Sequence, residues 1–298
     1  MRLLITGASG LLGSKVAELA LAAGHDVISI CNQHPTIRGN PIRVDLRNAE
    51  EVRKVLVENS PGAVIHTASI TDVDYCERNP KLAMEINGKA TGTIAQACHE
   101  LNSFLVYVSS DYVFDGQKGL YVEGDRPKPV NVYGQSKLLG EQVTSNLAGD
   151  YCTVRTSVIF GWGREYRPNI ATWLLDRLTR AQVLNVIDGQ YASPTLSTHL
   201  AKMLLDVTVR RITGTIHFAG TDRISRYEFA VKLAREFGCD TKLLVPTPIE
   251  AANWYAKRPA DSSLNVERAT HLLNIKPLGI DDELRAFKLE LDNRQPLS

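Results

Sequence analysis

The chain has 298 residues, 44% of them hydrophobic and 22% charged, which is an ordinary globular composition and excludes a disordered, collagen-like or disulfide-scaffold protein. Lys and Arg total 34 against 33 Asp and Glu, so a net charge of +1 provides no long-range field to gather nucleic acid or an anionic membrane, and any bound anion must be gripped locally. Five scattered cysteines without a C-x-x-C pair suggest neither a disulfide framework nor a zinc site, no metal is expected, and a cytoplasmic setting fits.

The first half alternates short apolar runs with amphipathic stretches, the pattern of βαβ units and a parallel sheet. Strands are predicted over 2–6, 26–31, 42–44, 63–67, 104–109 and 151–155. Between them lie helices over 11–23, closed by Gly24; 49–59, with Asn48 as N-cap; 81–101; and 132–146. The opening apolar stretch is broken by Gly7, Gly10 and Gly13 and followed by Lys15 and Glu18, so no leader peptide is expected, and no run reaches the length of a membrane span. After Phe160 come helices over 170–181, 198–209, 226–237 (opened by Ser225-x-x-Glu228), 249–256, 266–273 and 282–291, with strands near 183–187 and 214–218 expected to return to the main sheet. The expected architecture is α/β, a Rossmann-type doubly wound parallel sheet with a smaller C-terminal α/β lobe. Residues 1–160, with 183–217 returning, would bind the cofactor, while 161–182 and 218–298 would bind the substrate.

Gly7-Ala8-Ser9-Gly10-Leu11-Leu12-Gly13 follows the first strand and opens the first helix, where backbone N–H groups meet a dinucleotide pyrophosphate and a Cβ would obstruct both turn and phosphate. An NAD-selective site carries an acid at the end of the second strand, yet Ile30-Cys31-Asn32-Gln33-His34 has none. Asn32 and the nearby Arg38 could accept a 2′-phosphate, so NADP(H) is preferred over NAD(H); a plain polar loop is the competing view. Tyr133 and Lys137 stand four apart, on one face of the predicted helix, where a fixed positive charge favours the phenolate and brings its pKa toward the working range. Ser110, at the carboxyl end of the fifth strand, could hold a substrate carbonyl while Tyr133 moves the proton. His66, on a buried strand, reads as a satisfied core histidine.

The spacing G-x-x-G-x-x-G resembles the extended short-chain dehydrogenase/reductases, and longer runs sharpen the likeness. Val108-Ser109-Ser110-Asp111-Tyr112-Val113-Phe114-Asp115-Gly116, Pro129 to Glu141 and Ala68 to Glu77 are similar to motifs of the dTDP-4-dehydrorhamnose reductase family, as are Asp188 to Thr195 and Arg258 to Leu264. The family's R-T-S-W segment appears as Arg155-Thr156-Ser157-Val158, without the aromatic expected near the sugar. The resemblance implies NAD(P)H-dependent reduction of the 4-keto group of a dTDP-4-dehydro-6-deoxy sugar. Ser110, Tyr133 and Lys137 would be the catalytic set, with Lys137 also reaching the nicotinamide ribose. Gly7, Ser9, Gly10, Leu11, Leu12, Gly13, Asn32, Arg38, Asp45, Leu46, Ala68 and Ser69 would join Tyr133 and Lys137 around the cofactor, with Asp45 toward the adenine or, alternatively, only starting a turn. Asp111, Val158, Gln190 and Arg258 would meet the substrate, with Arg258 on the diphosphate; a surface ion pair is its other reading.

The implied partners are a small nucleotide sugar, no nucleic acid and no membrane, with a homodimer left open. The serine version S-S-D-Y-V-F-D-G also matches the β regulatory subunit of methionine adenosyltransferase, which acts chiefly as an NADP-binding partner subunit. A nucleotide-sugar epimerase or dehydratase is the third reading. Tyr112, where dehydratases carry a second carboxylate, and the missing acid after the second strand point away from it.

Overall fold

A computed structural model describes residues 1–163 and 168–292. The first half builds β1 (Arg2–Thr6), α1 (Leu11–Ala22), β2 (Asp26–Cys31), β3 (Asn40–Arg43), α2 (Ala49–Asn59), β4 (Ala63–His66), α3 (Val73–Arg78), α4 (Pro80–Ala83), α5 (Ala90–Glu100), β5 (Phe104–Ser110), α6 (Val132–Leu147) and β6 (Tyr151–Thr156). α1 stops where Gly24 turns left-handed at φ +76 and returns its N–H to the Leu21 carbonyl, a conformation that costs glycine little. The single helix expected over 81–101 is instead interrupted. Pro80 opens the short α4, and a π turn at Met84–Lys89 precedes α5. The widened turn carries Asn87, whose side chain binds the backbone N–H and carbonyl of Ile70 at 2.8 and 3.0 Å. A tertiary hydrogen-bond demand has overridden local helix geometry.

The second half adds β7 (Ile159–Phe160), α7 (Ile170–Leu178), β8 (Leu184–Asp188), β9 (Tyr191–Ala192), β10 (Thr195–Leu196), α8 (Ser197–Arg210), β11 (Gly214–His217), β12 (Ile224–Ser225), α9 (Arg226–Glu236), β13 (Leu244–Pro248), α10 (Glu267–Leu272) and α11 (Ile280–Asp292). The central sheet has seven parallel strands in the order β11-β6-β5-β4-β1-β2-β3. Its order reverses between β1 and β4, the crevice where ligands of doubly wound folds sit. Of the two strands expected to return to this sheet, only β11 does. β8 pairs with β13 in a separate parallel ribbon, since an apolar run specifies burial and leaves the partner open. The helix expected over 249–256 is also absent. Only a 3₁₀ turn at Ile249–Ala251 forms, and the Ala256 N–H donates to Asp74 Oδ1 at 3.0 Å instead of to a helical carbonyl.

Side-chain alternation along the strands divides the core into two layers. Leu3 and Ile5 face α1 and α8 with Val16, Leu204 and Phe218, while Leu4, Ile28 and Val64 face α2 and α5 with Leu56 and Ile94. A third apolar cluster, around Phe160, Phe229 and Phe287, holds α7, α9 and α11 together and carries the C-terminal lobe. No helix among the described residues is long and apolar enough to cross a membrane.

Candidate active site

The glycine turn is shaped by the chain's own backbone. Gly7 sits at φ +68, and a Cβ there would come within 2.8 Å of Ala68 backbone atoms; a Cβ on Gly13 would lie 2.2 Å from the Gly7 carbonyl oxygen. The expected reason for glycine, room for a phosphate, is thus joined by the packing of α1 onto its own turn. α1 begins at Gly10 without a side-chain cap and with no acid in its first turn, whereas Asn48, Asn131 and Ser225 cap α2, α6 and α9. A free, electropositive helix end behind a glycine turn fits a dinucleotide pyrophosphate. Ser9 and Leu11 are half-buried beside it and Leu12 is buried. Across the turn, the Ala68 N–H donates to Thr6 Oγ1 and Ser69 Oγ to Asn87 Oδ1. His66 binds Thr6 and Thr91 hydroxyls through its two ring nitrogens, and burial lowers its pKa to about 3, as a core histidine requires.

At the far end of this crevice Asn32 is exposed, and Arg38 pairs with Glu18 of α1 at 2.7 Å. Asp45 starts a turn, its two oxygens taken by the Arg47 guanidinium, which holds the carboxyl below its usual range. Leu46 packs against the core beside it. The contacts of Asp45 are therefore those of its alternative, turn-starting reading, because its neighbour two residues on supplies a forked partner.

Two further glycines seat the helix that carries the acid–base residues. A Cβ on Gly134 would be 2.1 Å from the Tyr112 carbonyl and one on Gly140 2.1 Å from the Tyr107 hydroxyl, so α6 lies hard against the end of β5. Asn131 caps this helix by accepting the Gly134 N–H at 2.8 Å. Tyr133 is half-buried and meets Tyr112 edge-on at 5.8 Å. Burial drives its pKa above the ordinary phenol range. Lys137 is fully enclosed; its Nζ donates to the Val108 carbonyl at 2.7 Å and lies 4.4 Å from the centre of the Tyr107 ring. Burial brings that amine down to about 7, against the pull of Glu141. The expected lowering of the Tyr133 pKa by Lys137 is not seen, because the ammonium is turned onto a carbonyl and desolvation governs the phenol.

Beyond Tyr133 the site is made of side chains from distant segments. Ser110 Oγ donates to Asp111 Oδ1 at 2.9 Å, and Asp111 Oδ2 accepts from Ser157 and Ser262 at 2.8 and 2.6 Å. Asp111, expected on the substrate, is 3% exposed and occupied as the hub of three serines. Gln190 is likewise buried, donating to the Pro259 carbonyl and accepting from Arg226. Arg258 pairs with Asp74 at 2.8 Å, and its guanidinium and that of Arg226 lie 5.6 and 5.8 Å from the Trp254 ring. Both arginines act on Tyr112, which burial otherwise pushes up. Val158 is half-buried, its carbonyl taken by Thr195. Asn87, Ser157, Arg226, Trp254 and Ser262 were not singled out in the sequence; Ser157 and Ser262 lay inside the 155–158 and 258–264 runs, and Arg226 follows the Ser225 cap, so these three had a usable signal.

The sequence model of the RmlD substrate binding domain matches residues 1–291. The chain belongs to this family. Among RmlD-like relatives, the dTDP-4-dehydrorhamnose reductase of Aggregatibacter actinomycetemcomitans is 32% identical over 96% of this chain and 97% of its own. The methionine adenosyltransferase 2 subunit beta of Danio rerio is 29% identical over 96% and 88%. The crystal structure of the Bacillus anthracis dTDP-4-dehydrorhamnose reductase in complex with NADP superposes with a TM-score of 0.87 at 29% identity, covering 97% of this chain and 99% of that one.

Proposed function

We propose that this chain is an NAD(P)H-dependent reductase of the 4-keto group of a dTDP-4-dehydro-6-deoxy sugar, with NADPH the favoured cofactor. The observation that carries the reading is the gathering at the carboxyl end of β5 of Ser110, Tyr133 against Tyr112, and Lys137 on the Val108 carbonyl, on the sheet whose strand β1 leads into the glycine turn and uncapped α1. The similarity to reductases over nearly the full chain supports it.

Gly7, Ser9, Gly10, Leu11, Leu12 and Gly13 would hold the pyrophosphate, Asp45 and Leu46 the adenine end, and Ala68, Ser69, Tyr133 and Lys137 the nicotinamide end. The bound cofactor supplies the hydride. Tyr133 gives its proton to the carbonyl oxygen, and the burial that raises its pKa keeps the phenol in the donating form at neutral pH. Arg226 and Arg258, bracketing Trp254, meet the diphosphate, where a guanidinium can pair two oxygens. The absence of a carboxylate after β2, with exposed Asn32 and nearby Arg38, supports a 2′-phosphate at that end, reached when Arg38 exchanges Glu18 for the ligand.

Oxidation of NADPH, and separately NADH, followed by absorbance with dTDP-4-dehydrorhamnose generated in place, tests this. Turnover with NADPH ahead of NADH is expected, and Tyr133→Phe should cut it by about 10²-fold or more while still binding cofactor. Tight cofactor binding without any oxidation would replace the reductase by the regulatory-subunit reading.

A further inference from the structure

The chain has three tryptophans, and they are used in two ways. Trp162 and Trp173 pack against the phenylalanine cluster of the C-terminal lobe, with Trp162 stacked on Phe287 at 4.6 Å. Trp254 joins no apolar cluster among the described residues. It is half-buried, with the guanidinium groups of Arg226 and Arg258 at 5.8 and 5.6 Å from its ring centre. That is close enough for attraction to the ring's π face, yet beyond the roughly 3.5–4 Å of atoms in flat contact, so the arginines steer the indole without lying against it. The irregular segment that carries the ring is pinned on both sides. The Ala256 N–H donates to Asp74 Oδ1 at 3.0 Å, the Lys257 carbonyl accepts from Asn131 at 2.8 Å, and Tyr255 lies under Arg78 of α3 at 4.8 Å. A ring held in this way loses little freedom when a ligand settles on it.

The groups along this side of the crevice stand in a definite order. Tyr133 meets Tyr112 edge-on, the charges of Arg226 and Arg258 act on Tyr112, and the same two guanidiniums flank Trp254. Reading outward from the phenol, the cations come before the indole. A nucleoside diphosphate sugar carries its parts in the same order: sugar, two phosphates, then a flat heteroaromatic base. We propose that Trp254 is a specificity-determining residue, the platform on which the nucleobase of the substrate stacks while Arg226 and Arg258 take the diphosphate. This rests on the reductase reading and concerns the part of the ligand that the reaction leaves untouched. An indole offers a large, rigid π face, and base–aromatic stacking needs no particular hydrogen-bonding edge. The two kinds of group therefore separate by ligand. Loss of the ring weakens only molecules that carry a base, whereas loss of an arginine weakens any diphosphate.

Calorimetric titration of the full chain, loaded with NADP, with dTDP and separately with inorganic pyrophosphate tests this without turnover. Trp254→Ala should weaken dTDP by about 10-fold and leave pyrophosphate unchanged, and Trp254→Phe should recover most of the loss. The emission of Trp254, isolated as the difference between wild type and Trp254→Phe, should be quenched by dTDP and not by pyrophosphate. Equal weakening of both ligands would mean that the ring only arranges the arginines, and unchanged dTDP binding would mean that it touches no base; either result overturns the assignment. Wild-type protein that binds dTDP no better than pyrophosphate overturns it as well. Should Trp254→Ala not fold, the emission difference decides, since quenching by both ligands or by neither removes the platform. If dTDP-4-dehydrorhamnose is not reduced yet the two ligands separate as expected, the reaction proposed above fails and the platform stands.

Discussion

The two walls of the crevice are made of different materials. The wall proposed for the cofactor is backbone: glycines packed on carbonyls, a helix end without a cap, and strands whose register is continuous over neighbours in sequence. The wall proposed for the substrate is side chain: Asp111 gathers Ser157 and Ser262, Gln190 joins Arg226 to Pro259, and Arg258 reaches Asp74, each contact spanning tens to hundreds of residues. The first wall has no room for an added Cβ at Gly7 or Gly13, and the second depends on individual functional groups.

That contrast can be broken at its strongest point by Gly13→Ala. The new methyl would overlap the Gly7 carbonyl, so a loss of about 4 kcal/mol in urea unfolding is expected, together with loss of NADPH binding in a fluorescence titration. A stable variant that binds NADPH would show that the cofactor wall is not backbone-limited.

Lys137 gives the next largest effect, with the opposite sign. Its folded pKa of about 7 lies below that of the unfolded chain, so between pH 7 and about 10 the unfolded state holds more protons and stability rises with pH. Lys137→Met should therefore stabilise the protein by on the order of 3 kcal/mol at pH 7, and the gain should vanish toward pH 10. Denaturant melts at the two pH values check this, and an equal gain at both would mean that packing, not buried charge, is responsible. Smallest is Arg226→Ala, expected to raise KM for the nucleotide sugar about 10-fold and leave KM for NADPH unchanged. Equal rises in both would dissolve the distinction between the walls.

The same division explains what could be read from the residues. Strand, glycine turn and helix at 2–23 are local events, as is Tyr133 one turn from Lys137, and each is legible from spacing. The π turn at Met84–Lys89 is not, because it exists to let Asn87 reach Ile70. The irregular path through Trp254 is not either, since Asp74 takes the Ala256 N–H from 182 residues away. Arg38 and Asp45 were legible as polar groups in the segments before and after β3, but their present partners, Glu18 and Arg47, follow from three-dimensional proximity and from a turn. The third serine of the Asp111 hub comes from position 262, inside the Arg258-to-Leu264 run, and its meeting with the motif at position 108 is set by the fold.

Asn131 adds a consequence of another kind. Its Oδ1 caps α6 while its Nδ2 donates to the Lys257 carbonyl at 2.8 Å, so the helix bearing Tyr133 begins on a residue anchored in the segment that presents Arg258. Under the proposed function, exchanging residues 249–263 for those of a relative to change the sugar accepted would therefore also disturb the start of the helix that carries Tyr133. Swaps that keep the Lys257 carbonyl in place should trade sugars freely, and swaps that move it should lose speed along with selectivity, tying the drift of one property to the other.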